Sequence, residues 1–221
     1  MDYERDRVIR LIAKNTNILV GLFIVTLIAG ILQAAGYATP GWLVFTGTSD
    51  ANITFSASIG LWYQRFCTEE CEIGYISSAV IWSKEDRKTF DTYKLIATVA
   101  VVFSIFCPIV ILVYIRRVRL QRDITSQAFA SMLATIGSGV LALVVVGKIA
   151  SDVHKAYDNW VKTEKDTDFK LGLLYSELLM GLGGALNCLA FIVLCVQILF
   201  RKKDTGGSGG EESVGMTADS K

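Results

Sequence analysis

Along the chain, apolar residues gather into four long blocks separated by polar stretches. They run from Ile18 to Ala38, Leu95 to Ile115, Ala128 to Gly147, and Leu178 to Phe200 within a broader segment starting at Leu171. Crossing the hydrocarbon core of a bilayer takes about 20 mostly apolar residues, a length that each block reaches. None carries Lys, Arg or Asp in its centre. Helices of a soluble bundle would show a polar stripe at the 3.6-residue period, and these blocks show none. In lipid, backbone groups must pair within the segment, so each block reads as a membrane-spanning helix. The first block also has features of a secretory signal, with basic residues before it and small residues (AAGYA) at its end. Its apolar run is longer than the roughly 7–15 residues of a signal core, which favours a retained span.

The stretch between the first two blocks has a different rhythm. Trp42–Thr46, Asn52–Ser56, Leu61–Phe66 and Tyr75–Trp82 are short runs rich in aromatic and β-branched residues, separated by GTSD, ASIG and TEE. Such runs, broken by turn residues, predict a small antiparallel sheet. The predicted fold is therefore an all-α four-helix transmembrane bundle with a small extracellular antiparallel β-sheet.

Charge fixes the orientation. Arg5, Arg7, Arg10 and Lys14 precede the first span; Arg116, Arg117, Arg119 and Arg122 fill the short second connection; Arg201, Lys202 and Lys203 follow the fourth span. Positive charge collects on the cytoplasmic side, which puts both termini and this connection inside. Residues 39–93 and 150–170 then form outer loops, and residues 201–221, rich in Gly, Ser and acids, form a flexible inner tail. Net charge is +1, which gives a nucleic-acid partner no electrostatic support.

Cys67 and Cys71 fall in the outer loop, on the oxidising side, where a disulfide persists. With three residues between them, a turn brings their Cα atoms within bridging range; two free thiols are the alternative. Cys107, Cys188 and Cys195 lie inside spans, where Cys acts as a small apolar residue, and Cys195 is a weak palmitoylation candidate. Asn52-Ile53-Thr54 is a glycosylation sequon on the outer side. Trp42, just past the first span, suits either an interfacial belt or a sheet anchor, whereas Trp62 calls for a protein contact. Glycines in spans one, three and four predict close helix packing, and Cys107-Pro108 predicts a kink. Glu177 falls at or beyond the outer edge of the fourth span, in a structural or loop-contact role. Asn187 reads as helix–helix glue.

Trp42, then Gly60-Leu61-Trp62, then Cys67 and Cys71, set in a long first outer loop of a four-span chain, resembles the signature of the claudin superfamily. That group includes peripheral myelin protein, epithelial membrane proteins and the gamma subunits of voltage-gated calcium channels. Phe169–Tyr175 is similar to the stretch that opens the fourth helix of claudins. The resemblance implies a left-handed bundle capped by an outer sheet, with Cys67 and Cys71 paired on neighbouring strands. It implies that Trp42, Gly60, Leu61 and Trp62 anchor the sheet on the helix ends. In this chain the cysteines are closer together than in the family, so the hairpin is shorter. The chain ends Ala-Asp-Ser-Lys221, so a PDZ scaffold, which binds a hydrophobic C-terminal residue by strand addition, is not an expected partner.

No nucleophile–base set, metal motif or phosphate loop is present, which predicts a non-enzyme with no cofactor; His154 and Asp166-Thr-Asp168 read as solvated loop residues. Two functions follow from the resemblance. The first is a junction protein that associates with itself or other claudin-like proteins in cis and in trans, forming adhesion strands or a paracellular barrier or ion pathway. Asp50, Glu69, Glu70 and Glu72 are its candidate charge-selectivity residues. The second is an auxiliary, gamma-like subunit bound beside an ion channel or receptor. Both place the chain in the plasma membrane in contact with lipid.

Overall fold

The computed structural model describes residues 2–48, 54–75, 84–120, 125–163 and 170–206. Its elements, in chain order, are α1 (Asp2–Ala38), β1 (Leu43–Thr48), β2 (Thr54–Ile59), β3 (Tyr63–Cys67), β4 (Cys71–Tyr75), α2 (Lys84–Arg119), α3 (Thr125–Thr163), β5 (Lys170–Leu171) and α4 (Tyr175–Gly206). Four helical segments are long and apolar enough to cross a membrane: Thr16–Ala38, Thr89–Arg119, Ser126–Lys155 and Tyr175–Leu199. Large apolar side chains such as Ile31, Phe106, Phe129, Leu133 and Leu189 point outward around the bundle. An apolar periphery of this extent matches a lipid surround.

The helices form a ring in which α1 packs on α2 and α4, and α3 packs on the same two. The interior is layered. One apolar cluster, distant from the sheet, joins Leu19 and Leu22 to Ile111, Tyr114, Ile115, Val118, Ala128, Ala190 and Leu194. The other, beneath the sheet, joins Trp42 and Leu61 to Ala97, Ala100, Val101, Ala142, Val145, Ile149 and Met180. Between them lie buried Gln33, Ser104, Ser138 and Asn187, one from each helix.

The sheet is antiparallel with strand order β4-β3-β2-β1-β5. Directly paired residues share a face, so Phe45, Ala57, Phe66 and Glu72 lie in a row on one side, and Ser58, Arg65 and Ile73 on the other. β5 adds to the free edge of β1 through Phe45↔Leu171 and Thr46↔Lys170, which draws the segment before α4 into the sheet.

Several boundaries differ from the sequence pattern. Residues 150–163, expected as part of an outer loop, continue α3 as helix. This stretch has no Gly or Pro, and Val153, Tyr157 and Trp160 recur at i, i+4 and i+7, a helical spacing. At 39 residues α3 is ~58 Å long, so it extends well past a hydrocarbon core of about 30 Å. Residues 201–206, expected as part of a flexible tail, continue α4 as helix to Gly206, the last described residue. The fourth strand occupies Cys71–Tyr75 instead of Tyr75–Trp82, because the tight Thr68–Glu70 turn starts the return strand at once; residues 76–83 lie outside the described residues. Pro108 sits within a continuous α2.

Close approach explains several glycines. A Cβ on Gly183 would meet the Ala29 carbonyl oxygen and Gln33 Cγ, both at 2.7 Å, and one on Gly139 would meet the Gly184 carbonyl oxygen at 2.9 Å. Gly137 has open space around its Cβ position. Gly183→Ala is therefore expected to destabilise the bundle by about 1–3 kcal/mol through overpacking, whereas Gly137→Ala is neutral or slightly stabilising. Thermal unfolding of the two variants in detergent checks this; equal midpoints would contradict the close α1–α4 contact.

Candidate functional site

The site is the collar where the sheet sits on the bundle, together with the hairpin it presents. A helix ends with carbonyls that lack intrahelical donors, and α1 ends where the chain leaves the apolar zone. Trp42 is 1% exposed, and its indole Nε1 donates to the Gly36 carbonyl at 2.9 Å. Thr39 Oγ1 donates to the Ala35 carbonyl at 2.8 Å. From the start of α4, Ser176 Oγ accepts the Gly41 amide at 2.8 Å, donates to the Thr39 carbonyl at 3.1 Å and lies 2.7 Å from Thr39 Oγ1. The Ser176 amide in turn donates to the Gly41 carbonyl at 3.2 Å.

Glycine is required at three points of this collar. A Cβ on Gly36 would come within 2.6 Å of the Ser176 carbonyl oxygen. On Gly41 it would enter the Tyr175 ring, and on Gly60 it would lie 2.8 Å from the Pro40 Cα. The backbone pairs Trp42 N–H with the Ile59 carbonyl at 3.0 Å and Gly60 N–H with the Tyr63 carbonyl at 2.9 Å, closing the turn that inserts Leu61. Leu61 is fully buried against the apolar cluster beneath the sheet.

Trp62 plays a different part from its neighbour. It is 42% exposed, edge-on to the Tyr37 ring at 5.4 Å, with Lys94 Nζ 5.7 Å from its centroid. The same ammonium lies 5.3 Å from the Phe90 ring and 3.5 Å from the Asp91 carboxylate. Cation–π contacts of this kind contribute about 0.5–1 kcal/mol at exposed sites, and the ion pair to the exposed Asp91 no more than that. Tyr37 Oη also bonds Thr98 Oγ1 at 2.8 Å, and Tyr93 Oη donates to Asp152 at 2.5 Å, tying α1 to α2 and α2 to α3 near the sheet.

At the far end of β3 and β4, Cys67 and Cys71 form a disulfide with their Cα atoms 4.0 Å apart. They are directly paired in register, and Thr68 N–H bonds the Glu70 carbonyl at 3.1 Å across the turn. Closing so short a loop constrains the unfolded chain by about 2 kcal/mol. Glu69, Glu70 and Glu72 are exposed on this hairpin. Arg65 Nη2 lies 3.4 Å from Cys71 Sγ, on the face opposite Glu72. Asp50 and Asn52 lie outside the described residues, as do Asp166 and Asp168.

The structure thus brings Trp42, Gly60 and Leu61 into one buried collar and carries Glu69, Glu70 and Glu72 together on the hairpin tip. Sequence reasoning missed Ser176, because it began the fourth helix at Leu178 rather than Tyr175, and Gly36, Thr39 and Gly41, whose roles depend on contact with the start of α4. It also missed the row Phe45, Phe55 and Phe66, whose rings lie 6.4 and 5.8 Å apart in sequence order. Alternation along three strands was the signal for that row. Glu177, expected at the membrane edge, is 5% exposed in the first turn of α4, with no partner for Oε1 among the described residues. Comparison with known proteins gives no family-model match and no match to a curated protein. Fold and site together define the class: a bundle of four helices, each long and apolar enough to cross a membrane, carrying a small disulfide-closed antiparallel sheet.

Trp42→Phe keeps most of the ring but leaves the Gly36 carbonyl without its donor, at an expected cost of about 1–3 kcal/mol. Trp62→Phe, at a half-exposed position, is expected to cost less. Unfolding midpoints in detergent read the order, and a larger loss for Trp62→Phe would overturn the anchoring role of Trp42.

Proposed function

We propose that the chain is a claudin-like integral membrane protein of cell–cell junctions. It associates with copies of itself, or with other claudin-like proteins, side by side in one membrane and tip to tip between cells. The strands so formed seal the paracellular gap or pass ions selectively along it. The observation that carries this reading is the collar: Trp42 and the Gly60-Leu61-Trp62 turn fix a five-stranded sheet to the end of a four-helix bundle. A sheet held this firmly presents the same hairpin and the same edge strand from every copy, as an ordered assembly requires. Edge strands carry unpaired backbone groups that suit association.

The charge distribution supports an outward sheet. Arg116, Arg117 and Arg119 end α2 at the pole opposite the sheet, and positive-inside charge makes that pole cytoplasmic. The chain then lies in the plasma membrane with both termini inside. Glu69, Glu70 and Glu72 supply negative charge at the tip, within one Debye length, about 8 Å at physiological salt, of anything that packs against the hairpin. Asp50 and glycosylation at Asn52 belong to the same proposal through the sequence. The short disulfide hairpin favours one second reading, an auxiliary subunit that binds laterally to a channel or receptor.

Expression in epithelial cells that lack their own junction strands separates the two. The junction reading expects accumulation at contacts between expressing cells and a changed transepithelial resistance. It also expects loss of cation preference when Glu69, Glu70 and Glu72 are all changed to Gln. Uniform surface distribution, with a channel recovered on native-detergent purification, would replace it by the auxiliary reading.

A further inference from the structure

At mid-span the four helices are joined by one chain of polar side chains. Asn187 Nδ2 on α4 donates to Ser104 Oγ on α2 at 3.0 Å and to Ser138 Oγ on α3 at 2.9 Å. Ser138 Oγ donates to Gln33 Oε1 on α1 at 3.1 Å. All four residues have no exposed surface. Other buried hydroxyls nearby are satisfied within their own helices: Thr26 donates to the Leu22 or Phe23 carbonyl, Ser131 to Gln127, and Thr135 to Ser131 or Met132.

Two groups in the chain remain open. Gln33 Nε2, a donor, and Asn187 Oδ1, an acceptor, have no partner among the described residues. A third comes from covalent chemistry. Pro108 has no N–H, so the Ser104 carbonyl lacks its helical donor. That oxygen lies 3.3 Å from where a Gly30 Cβ would be, on the α1 face that also carries Gln33.

We infer that this node is a binding site for enclosed water, held by Gln33 Nε2, Asn187 Oδ1 and the Ser104 carbonyl in the middle of the bundle. The mixture of open groups selects the guest. A cation would face the Gln33 N–H groups, and Ca²⁺ or Mg²⁺ would need about six or more oxygen ligands. An anion would face two carbonyl oxygens. Water both donates and accepts, and buried waters make about 2–4 such bonds. Gly30 and Gly183 bring α2 and α4 hard against α1 beside Gln33, so a guest at this node has to be small. The apolar clusters on either side, with Leu19, Leu22, Ile111 and Leu194 below and Val145, Ile149 and Met180 above, close the site at both ends. The guest is therefore a sealed component of the bundle and not a segment of a water column.

The test is solid-state NMR of the full chain in bilayers of chain-deuterated lipid, reading magnetisation transfer from water protons to assigned nitrogens. Transfer to Gln33 Nε2 and Asn187 Nδ2, with none to the backbone amides of Leu22 and Val145, is the expected result. Absence of transfer to both side chains, while the Thr68 amide receives it, would overturn the site. Transfer that also reaches Leu22 and Val145 would overturn the enclosure. In Gln33→Met, which keeps length and removes both polar atoms, the signal at Asn187 Nδ2 is expected to fall. An unchanged signal there would remove Gln33 from the site. The wild-type measurement stands by itself if that variant does not fold.

Discussion

The rest of the structure depends on how the chain leaves an apolar medium without stranding its backbone. Inside lipid a helix satisfies its own polar groups, but its last turn does not. At the end of α1 the carbonyls are taken up by the next few residues and by α4: Trp42 Nε1 serves Gly36, the Thr39 amide and hydroxyl both serve Ala35, and Ser176 serves Thr39 just past the helix. The same few bonds fix where the sheet begins. Trp42 is thus both the lid of the apolar cluster beneath the sheet and the first residue before β1, so helix end and strand start form one unit.

That unit explains the glycines around it. Gly36, Gly41 and Gly60 are places where helix, ring and turn approach too closely for a side chain. It also explains the division of labour between two tryptophans in one loop. Trp42 is buried and hydrogen-bonded at the centre of the collar, whereas Trp62 is half-exposed, edge-on to Tyr37 of α1 and within reach of Lys94 of α2. The hairpin beyond needs no such support, because the Cys67–Cys71 bridge closes it at its tip. Below the collar, layers of apolar, polar and apolar side chains fill the bundle, and the polar layer links all four helices by hydrogen bonds rather than by burial alone.

The four long apolar helices, the presence of an antiparallel sheet and the Cys67–Cys71 pairing were legible in the sequence, because length, apolarity and turn residues act locally. The collar was not. Ser176 and Gly36 lie 140 positions apart and meet only because α1 and α4 are neighbours, which no local pattern encodes. β5 is two residues long and takes its register from β1, so it too was invisible. The extension of α3 to Thr163 was hidden by charge: mixed Lys and Asp residues read as a solvated loop, and they suit an exposed helix equally well. Asn187 was legible as helix–helix glue, but its partners on α2 and α3 were not, since they depend on rotation of each helix about its axis.

Hydrogen exchange at the collar tests the central claim most directly. In the protein reconstituted in bilayers, the Trp42 indole N–H and the Gly41 amide are predicted to exchange as slowly as amides of the helices they join, and far more slowly than Glu69 at the hairpin tip. Exchange of both at the rate of Glu69 would mean that the sheet is tethered to the bundle rather than seated on it, and would contradict the account.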